Sequence, residues 1–333
     1  MTPHLEVTDL RKLYPVGAAR GRSLIKRFFG PQHMLHAVDG ISFSIEQGES
    51  VGLVGESGCG KSTVVRLISR LIDPTSGTIL FRGHKIDDIP ARRFSASPYR
   101  RDIQIVFQDP TGSLNPRYTA RATIADPLRR LMRMRSRRDV NRRVSEIAEM
   151  VGLPIELLSR FPHQLSGGQR ARVGIGRAIA VEPSLLILDE PTSSLDVSVQ
   201  AIILHLLADL RRRLKISFLF VSHDLNVVRL LCDRIVVMYL GRIVEIGCAR
   251  DVLSAPGHPY SKALVSAIPS GIQTNTTRGH LTGEARSPVD PEPNICRFFG
   301  RCPQGSDRCM REEPVLRPVN ADRLVACHFA SET

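Results

Sequence analysis

The chain has 333 residues, of which 42% are hydrophobic and 24% charged, and a formal net charge of +13. It can bury a full core and holds more than one domain, with the composition of an ordinary globular protein. No apolar run reaches the length of a bilayer span, and Met1 to Val7 lacks a secretory pattern, so the protein is expected in the cytosol, where seven cysteines argue against a disulfide framework. The positive field attracts anions: nucleotides, nucleic acid or acidic lipid. Much of it sits in arginine clusters, from Arg129-Arg130 to Arg142-Arg143, on faces expected to be solvated, so charge alone decides nothing.

Residues 5–14 alternate as a half-buried strand ending in Tyr14, an aromatic that suits either adenine stacking or ordinary packing on the sheet. Residues 16–35 form a basic loop and residues 37–45 a second strand. The apolar run 50–54 then reads as a buried strand, followed by Gly55-Glu56-Ser57-Gly58-Cys59-Gly60-Lys61-Ser62-Thr63 and a helix from Val64. This is the G-x-x-x-x-G-K-S-T phosphate-binding pattern in the strand–loop–helix context it needs. Its glycines let backbone N–H groups turn toward phosphate at a helix N-terminus, Lys61 would hold the β/γ-phosphates, and Ser62 would place its hydroxyl on Mg²⁺.

A turn at 73–77 leads to a strand over 78–83, and a strand over 103–107 delivers Gln108 to its C-terminal end, where ligands gather in sheets of this kind. Helices over 124–131 and 140–151 read as an insert with basic outer faces. Ser166 is a good N-cap, and Gly167-Gly168-Gln169 opens a second anion-binding helix end over 171–181. One triphosphate does not need two such ends, so this one is expected to face the nucleotide of another subunit. The run 185–188 reads as a central parallel strand ending in Asp189, placed for the metal, and Glu190, placed to accept a proton from water. Asp196 precedes a helix over 197–214, a buried strand over 216–221 ends at His223, and two strands over 234–239 and 241–246 close the unit near residue 255. His223 would hydrogen-bond the γ-phosphate and orient the water; taken alone, it would pass for a structural histidine.

Residues 270–293 read as a linker, after which Cys296, Cys302, Cys309 and Cys327 gather in a polar segment with almost no core of its own, suggesting a metal staple of zinc or iron–sulfur type. Cys59, Cys232 and Cys248 are scattered and read as structural.

Over residues 5–255 the chain resembles the ATP-binding subunit of ABC transporters: Gly55–Thr63 as Walker A, Gln108 as Q-loop, Leu165–Gln169 as signature, Leu185–Glu190 as Walker B, Asp196 in the D-loop and His223 as switch histidine. The resemblance implies an α/β P-loop NTPase cassette over 1–255, with a helical subdomain at about 112–180, and a small cysteine-bearing extension over 256–333. It implies an ATPase in which Glu190, His223, Lys61 and Gln108 are catalytic and Tyr14 stacks on adenine. Ser62, Gln108 and Asp189 would hold Mg²⁺, and Ser166, Gly167, Gly168 and Gln169 would contact ATP on a partner cassette. Gly174 and Gly176 stand where the family usually has alanine, which lowers helix propensity slightly.

Gln108 to Pro116 and Pro256 to Leu264 resemble the dipeptide/oligopeptide permease group, some of whose members carry nickel or glutathione. This implies two membrane permease subunits, a related second cassette, an extracytoplasmic solute-binding protein acting indirectly, and a peripheral place on the cytoplasmic face of the inner membrane. Some relatives with this tail resemble iron–sulfur binders, which favours a [4Fe–4S] cluster on the four cysteines over zinc or free thiols. The rival reading is a soluble ABC-type ATPase acting on DNA or ribosomes. The chain carries neither the long coiled-coil insert nor the paired cassettes of those proteins, and no nucleic-acid partner is expected.

Overall fold

The computed structural model describes residues 2–16, 33–268 and 285–330; most of the basic loop and of the linker lie outside these. Strands β1 (Leu5–Val16), β2 (His33–Ile45), β4 (Ser76–Phe81) and β5 (His84–Lys85) form an antiparallel sheet in the order β2-β1-β4-β5. A larger sheet is built on β3 (Ser50–Val54), β6 (Ile103–Val106), β7 (Leu185–Asp189), β8 (Ser217–Ser222), β9 (Arg234–Tyr239) and β10 (Arg242–Cys248). Within it β9, β3, β8, β7 and β6 lie side by side and parallel.

These parallel strands are continuous apolar runs because both faces of their sheet are covered. Alternation sends successive residues to opposite sides. Leu186, Leu188, Phe218 and Phe220 join the core beneath the helices, whereas Leu185, Ile187, Leu219 and Val221 join a second core. That second core is completed by β1, β2 and helix α1 (Lys61–Ile68).

The insert holds α2 (Ala120–Arg130) and α3 (Arg137–Met150), which begin earlier than apolar periodicity predicts because Thr119 and Ser136 cap them. Their hydroxyls accept from the amides of Ala122 and Asp139 at 3.2 and 3.3 Å. On α3, Val140, Val144, Ile147 and Ala148 are buried and Arg137, Arg138 and Arg142 face outward, as expected. Helices α4 (Gly167–Ile179) and α5 (Val197–Leu214) pack against the same core. The strand predicted over 78–83 ends at Phe81, because Arg82 and Gly83 take positive φ in the turn to β5.

The large sheet does not end at β10. Beyond helix α6 (Pro259–Ser266), the tail adds β11 (Arg317–Asn320) and β12 (Arg323–Val325), with β12 antiparallel to β10 and β11 outside it. The expectation that this segment has almost no core of its own is only half right, since it borrows one. Tyr260 and Phe298 are buried against Tyr239 of β9, with ring centroids 4.6 to 5.6 Å apart.

Candidate functional site

The phosphate loop runs from the end of β3 to the start of α1. Gly55 and Gly60 have φ of +154° and +110°, and a Cβ on either would meet a backbone oxygen, of Met238 or Ala37, at 2.1 or 2.2 Å. Only glycine allows this approach. Lys61 is buried, and its Nζ donates to the carbonyls of Gly55 and Glu56 at 2.7 and 2.9 Å, which holds the ammonium across the loop. The buried Cys59 thiol lies 3.8 Å from the same ammonium, and burial pushes its pKa up.

A cleft of about 550 Å³ opens over the loop, lined by Ser57, Gly58, Gly60, Lys61, Ser62 and Thr63. Tyr14 from β1 lines it too, with Lys12 Nζ 5.2 Å from its ring centroid, and so do Gln108, Glu190 and His223 from the C-terminal ends of β6, β7 and β8. Three strand ends, with Gln108 and Glu190 82 residues apart in the chain, therefore meet. Gln108 Nε2 donates to Glu190 Oε2 at 3.0 Å, and His223 Nδ1 lies 3.2 Å from Glu190 Oε1. Both oxygens of this carboxylate are thus oriented. Glu190 itself has a φ of +46°, a left-handed conformation uncommon outside glycine and frequent at functional sites.

Asp189 is half-buried beside Glu190. Burial first, then the Glu190 charge, raises its pKa, opposed by Arg66 and Lys61. Two adjacent carboxylates next to a hydroxyl-bearing phosphate loop are a donor set that a divalent cation fits.

The signature and D-loop residues are not among those lining this cleft. Ser166 caps α4 in a reciprocal box: its Oγ accepts from the Gln169 amide at 3.3 Å, and Gln169 Oε1 accepts from the Ser166 amide at 2.9 Å. Gly167 and Gly168 open that helix. Asp196 caps α5, accepting from the Val199 amide at 2.9 Å and the Ser198 hydroxyl at 2.7 Å, and these bonds lower its pKa.

Cys309 and Cys327 are buried, and Cys296 and Cys302 half-buried. Burial, followed by the neighbouring thiols, pushes Cys296 up to about 11 and raises Cys302 and Cys327. The four share one neighbourhood, yet among the described residues no group of three or more His, Cys, Asp or Glu side chains is arranged to hold a metal ion. The expected iron–sulfur cluster therefore finds donors here but no formed cage.

Sequence reasoning missed several residues of the site. Leu35, His36 and Ala37 of β2, Leu240 and Gly241 after β9, and Pro288 from the tail also line the cleft. The Pro288 carbonyl accepts from the His36 amide at 2.9 Å. Tyr260 and Arg301 do not line it but grip the phosphate loop at Glu56 from behind. The segment around Pro288 pairs with β2 through an isolated bridge at Leu35–Val289 and the Asp290 amide donating to the Met34 carbonyl at 2.9 Å, long-range contacts that no local pattern signals.

A Lys-bearing phosphate loop facing an oriented glutamate, a glutamine and a histidine on parallel strand ends defines a P-loop ATPase of the cassette type. The ABC transporter family profile matches residues 38–193, and the profile of the oligopeptide/dipeptide transporter C-terminal region matches residues 244–309. The oligopeptide transport ATP-binding protein AppF of Bacillus subtilis is 42% identical over 98% of this chain and 97% of its own length. The corresponding protein OppF of Escherichia coli is 42% identical over 94% of this chain and 92% of its own. Among solved structures, the dimeric post-hydrolysis cassette MJ0796 bound to ADP and Pi superposes with a TM-score of 0.64 at 30% identity, covering 74% of this chain and 99% of that one. The chain belongs to the ABC transporter family, in the group of peptide-transport ATP-binding proteins, and is an ATPase.

Proposed function

We propose that this chain is the ATP-hydrolysing subunit of an importer that takes up dipeptides or oligopeptides across the inner membrane. The observation that carries the reading is the convergence of Lys61, Gln108, Glu190 and His223 on one cleft, in a chain whose tail matches the oligopeptide/dipeptide transporter region.

In this reading Tyr14 stacks on the adenine and the backbone from Gly55 to Thr63 cradles the phosphates, with Lys61 offsetting charge on the β/γ-phosphates. Ser62, Gln108 and Asp189 would hold Mg²⁺, which supplies charge neutralisation between the phosphate oxygens. Glu190 accepts the proton of the attacking water, and His223 steadies that water against the γ-phosphate. Each Glu190 oxygen has a second lone pair, so it can accept from a water while Gln108 and His223 hold the carboxylate in place. Ser166 to Gln169 and Asp196 stand outside the cleft of their own chain, which supports a site completed by a second cassette: their helix end would meet ATP held by the partner.

That partner is a related cassette, and the pair docks on two membrane permease subunits served by an extracytoplasmic solute-binding protein. No helix among the described residues is long and apolar enough to cross a membrane, which fits a peripheral place on the cytoplasmic face. Clustered thiols of this donor set keep a [4Fe–4S] cluster as the reading for Cys296, Cys302, Cys309 and Cys327. Iron and acid-labile sulfide near four of each per chain after anaerobic purification support it, and zinc or no metal refutes it.

Tagged protein drawn gently from its native membranes tests the main reading. Two polytopic proteins and a second cassette, in a complex whose ATPase rate rises with peptides, support it. Nickel or glutathione as the stimulating solute would replace the substrate class, and ribosomes or DNA without membrane protein would overturn the transporter.

A further inference from the structure

Glu56 is the one carboxylate of the phosphate loop, and two residues of the C-terminal extension hold it. Its backbone N–H donates to the Tyr260 hydroxyl at 2.8 Å. Its carboxylate oxygens accept from both terminal nitrogens of Arg301, at 3.0 and 3.1 Å. On the other side its carbonyl accepts from Lys61 Nζ at 2.9 Å. Glu56 is thus a hinge point between the lysine of the loop and the tail.

Arg301 is built into place. Its side chain is 10% exposed against 34% for Glu56, its Nη1 also donates to the Tyr239 hydroxyl at 3.2 Å, and its guanidinium lies 5.8 Å from the Tyr239 ring centroid. The Glu56 bonds are the largest influence keeping it charged. Tyr260 is fully buried, and its ring lies 4.6 Å from that of Tyr239. A bidentate guanidinium–carboxylate pair of this geometry fixes direction as well as charge.

The chemistry of the loop gives this clamp a purpose. A carboxylate beside the place where a triphosphate must lie repels it, and an adjacent arginine cancels that charge. The same arginine and the Tyr260 hydroxyl fix the turn that aims the following N–H groups.

We propose that Arg301, seconded by Tyr260, is a positioning residue for ATP: the extension neutralises and orients Glu56, so that the phosphate loop is in register for nucleotide only while the extension is docked. This rests on the ATPase reading of the cleft. Neither residue touches the nucleotide; both act through Glu56.

The test uses the full-length chain and the fluorescent nucleotide trinitrophenyl-ATP with Mg²⁺, alongside steady-state hydrolysis by the reconstituted complex. Arg301→Ala should weaken binding roughly tenfold and raise the KM for ATP by a like factor with kcat much less changed, as loss of a charge-assisted pair implies. Arg301→Lys should recover part of the loss. Adding Glu56→Gln to Arg301→Ala should also tighten binding relative to Arg301→Ala alone, because the unpaired charge is gone; a purely structural arginine predicts no such recovery. Should Arg301→Ala not fold, Arg301→Gln keeps one amide donor without the charge and should weaken binding about threefold. Wild-type affinity in a folded Arg301→Ala or Arg301→Gln chain would overturn the proposal alone. A wild-type chain that binds no nucleotide would overturn the ATPase reading, and the proposal with it.

Discussion

The extension is joined to the sheet through a buried ion pair whose removal has a calculable cost. Glu245 on β10 is 0% exposed, and Arg323 on β12 about 6%. Glu245 Oε1 accepts from Arg323 Nε at 2.8 Å and from the Gly257 amide at 2.9 Å, while Oε2 accepts from the His258 amide at 2.9 Å. Arg323→Ala leaves that carboxylate buried without its counter-charge, a change that costs about 3–5 kcal/mol. With an unfolding entropy of about 2.1 cal/mol/K per residue over 333 residues, the melting temperature should fall by about 4–7 °C. Scanning calorimetry measures it. Glu245→Gln in the same chain removes the charge but keeps an acceptor oxygen for only one of the two amides, so the double variant should recover part of the loss and melt above Arg323→Ala alone. A drop of less than about 1.5 °C for Arg323→Ala would refute the reasoning, since it would mean that water or a relaxed backbone solvates Glu245.

Glu190→Gln should bind ATP at near wild-type affinity and hydrolyse it about 10²-fold more slowly or worse, in a coupled phosphate-release assay; wild-type turnover would remove Glu190 as the base. Gly174→Ala should stabilise α4 by about 0.5–1 kcal/mol in urea unfolding, because its Cβ would meet nothing within 4 Å. Gly176→Ala should gain less, its Cβ falling 3.3 Å from an Ile147 methyl. Burial holds His258 neutral, with its pKa pushed down to about 3, and His4 down to about 4. Below about pH 6.5 the unfolded chain therefore takes up protons that the native chain refuses until near pH 3, and stability falls as pH falls through that window, by roughly 1.4 kcal/mol per unit per histidine. Equilibrium unfolding across pH 4–7 reads this slope, and His258→Asn, which can still cap α6, should flatten it.

Much of the site was legible because each part sits on one strand or at its exit. Gly55–Thr63 follows β3, Gln108 follows β6, Glu190 follows β7 and His223 follows β8, so local pattern and order sufficed to place them. The parallel strands announced themselves as unbroken apolar runs for the same reason that they are buried on both faces. The residues that escaped act across long separations: Tyr260 lies 204 residues from Glu56 and Arg301 lies 245. Nothing in a polar stretch after a linker signals that one arginine returns to the phosphate loop. Strands β11 and β12 were equally hidden, being four and three residues long and containing Pro318, which only an edge position tolerates.

These two blind spots have one physical origin. β10 would be an edge strand if the chain stopped near residue 255, and an edge with unpaired N–H and C=O groups has to be covered. Here it is covered by β12 from the tail, and the carboxylate of Glu245 finds its partners at Gly257, His258 and Arg323, all of them beyond residue 255. The same docking that completes the sheet carries Phe298 onto Tyr239 and Arg301 onto Glu56. A segment that reads in sequence as an appendage is therefore, in energetic terms, the last two strands of the nucleotide-binding sheet and the outer wall of its phosphate loop. Its effect on ATP follows from where the sheet needed an edge.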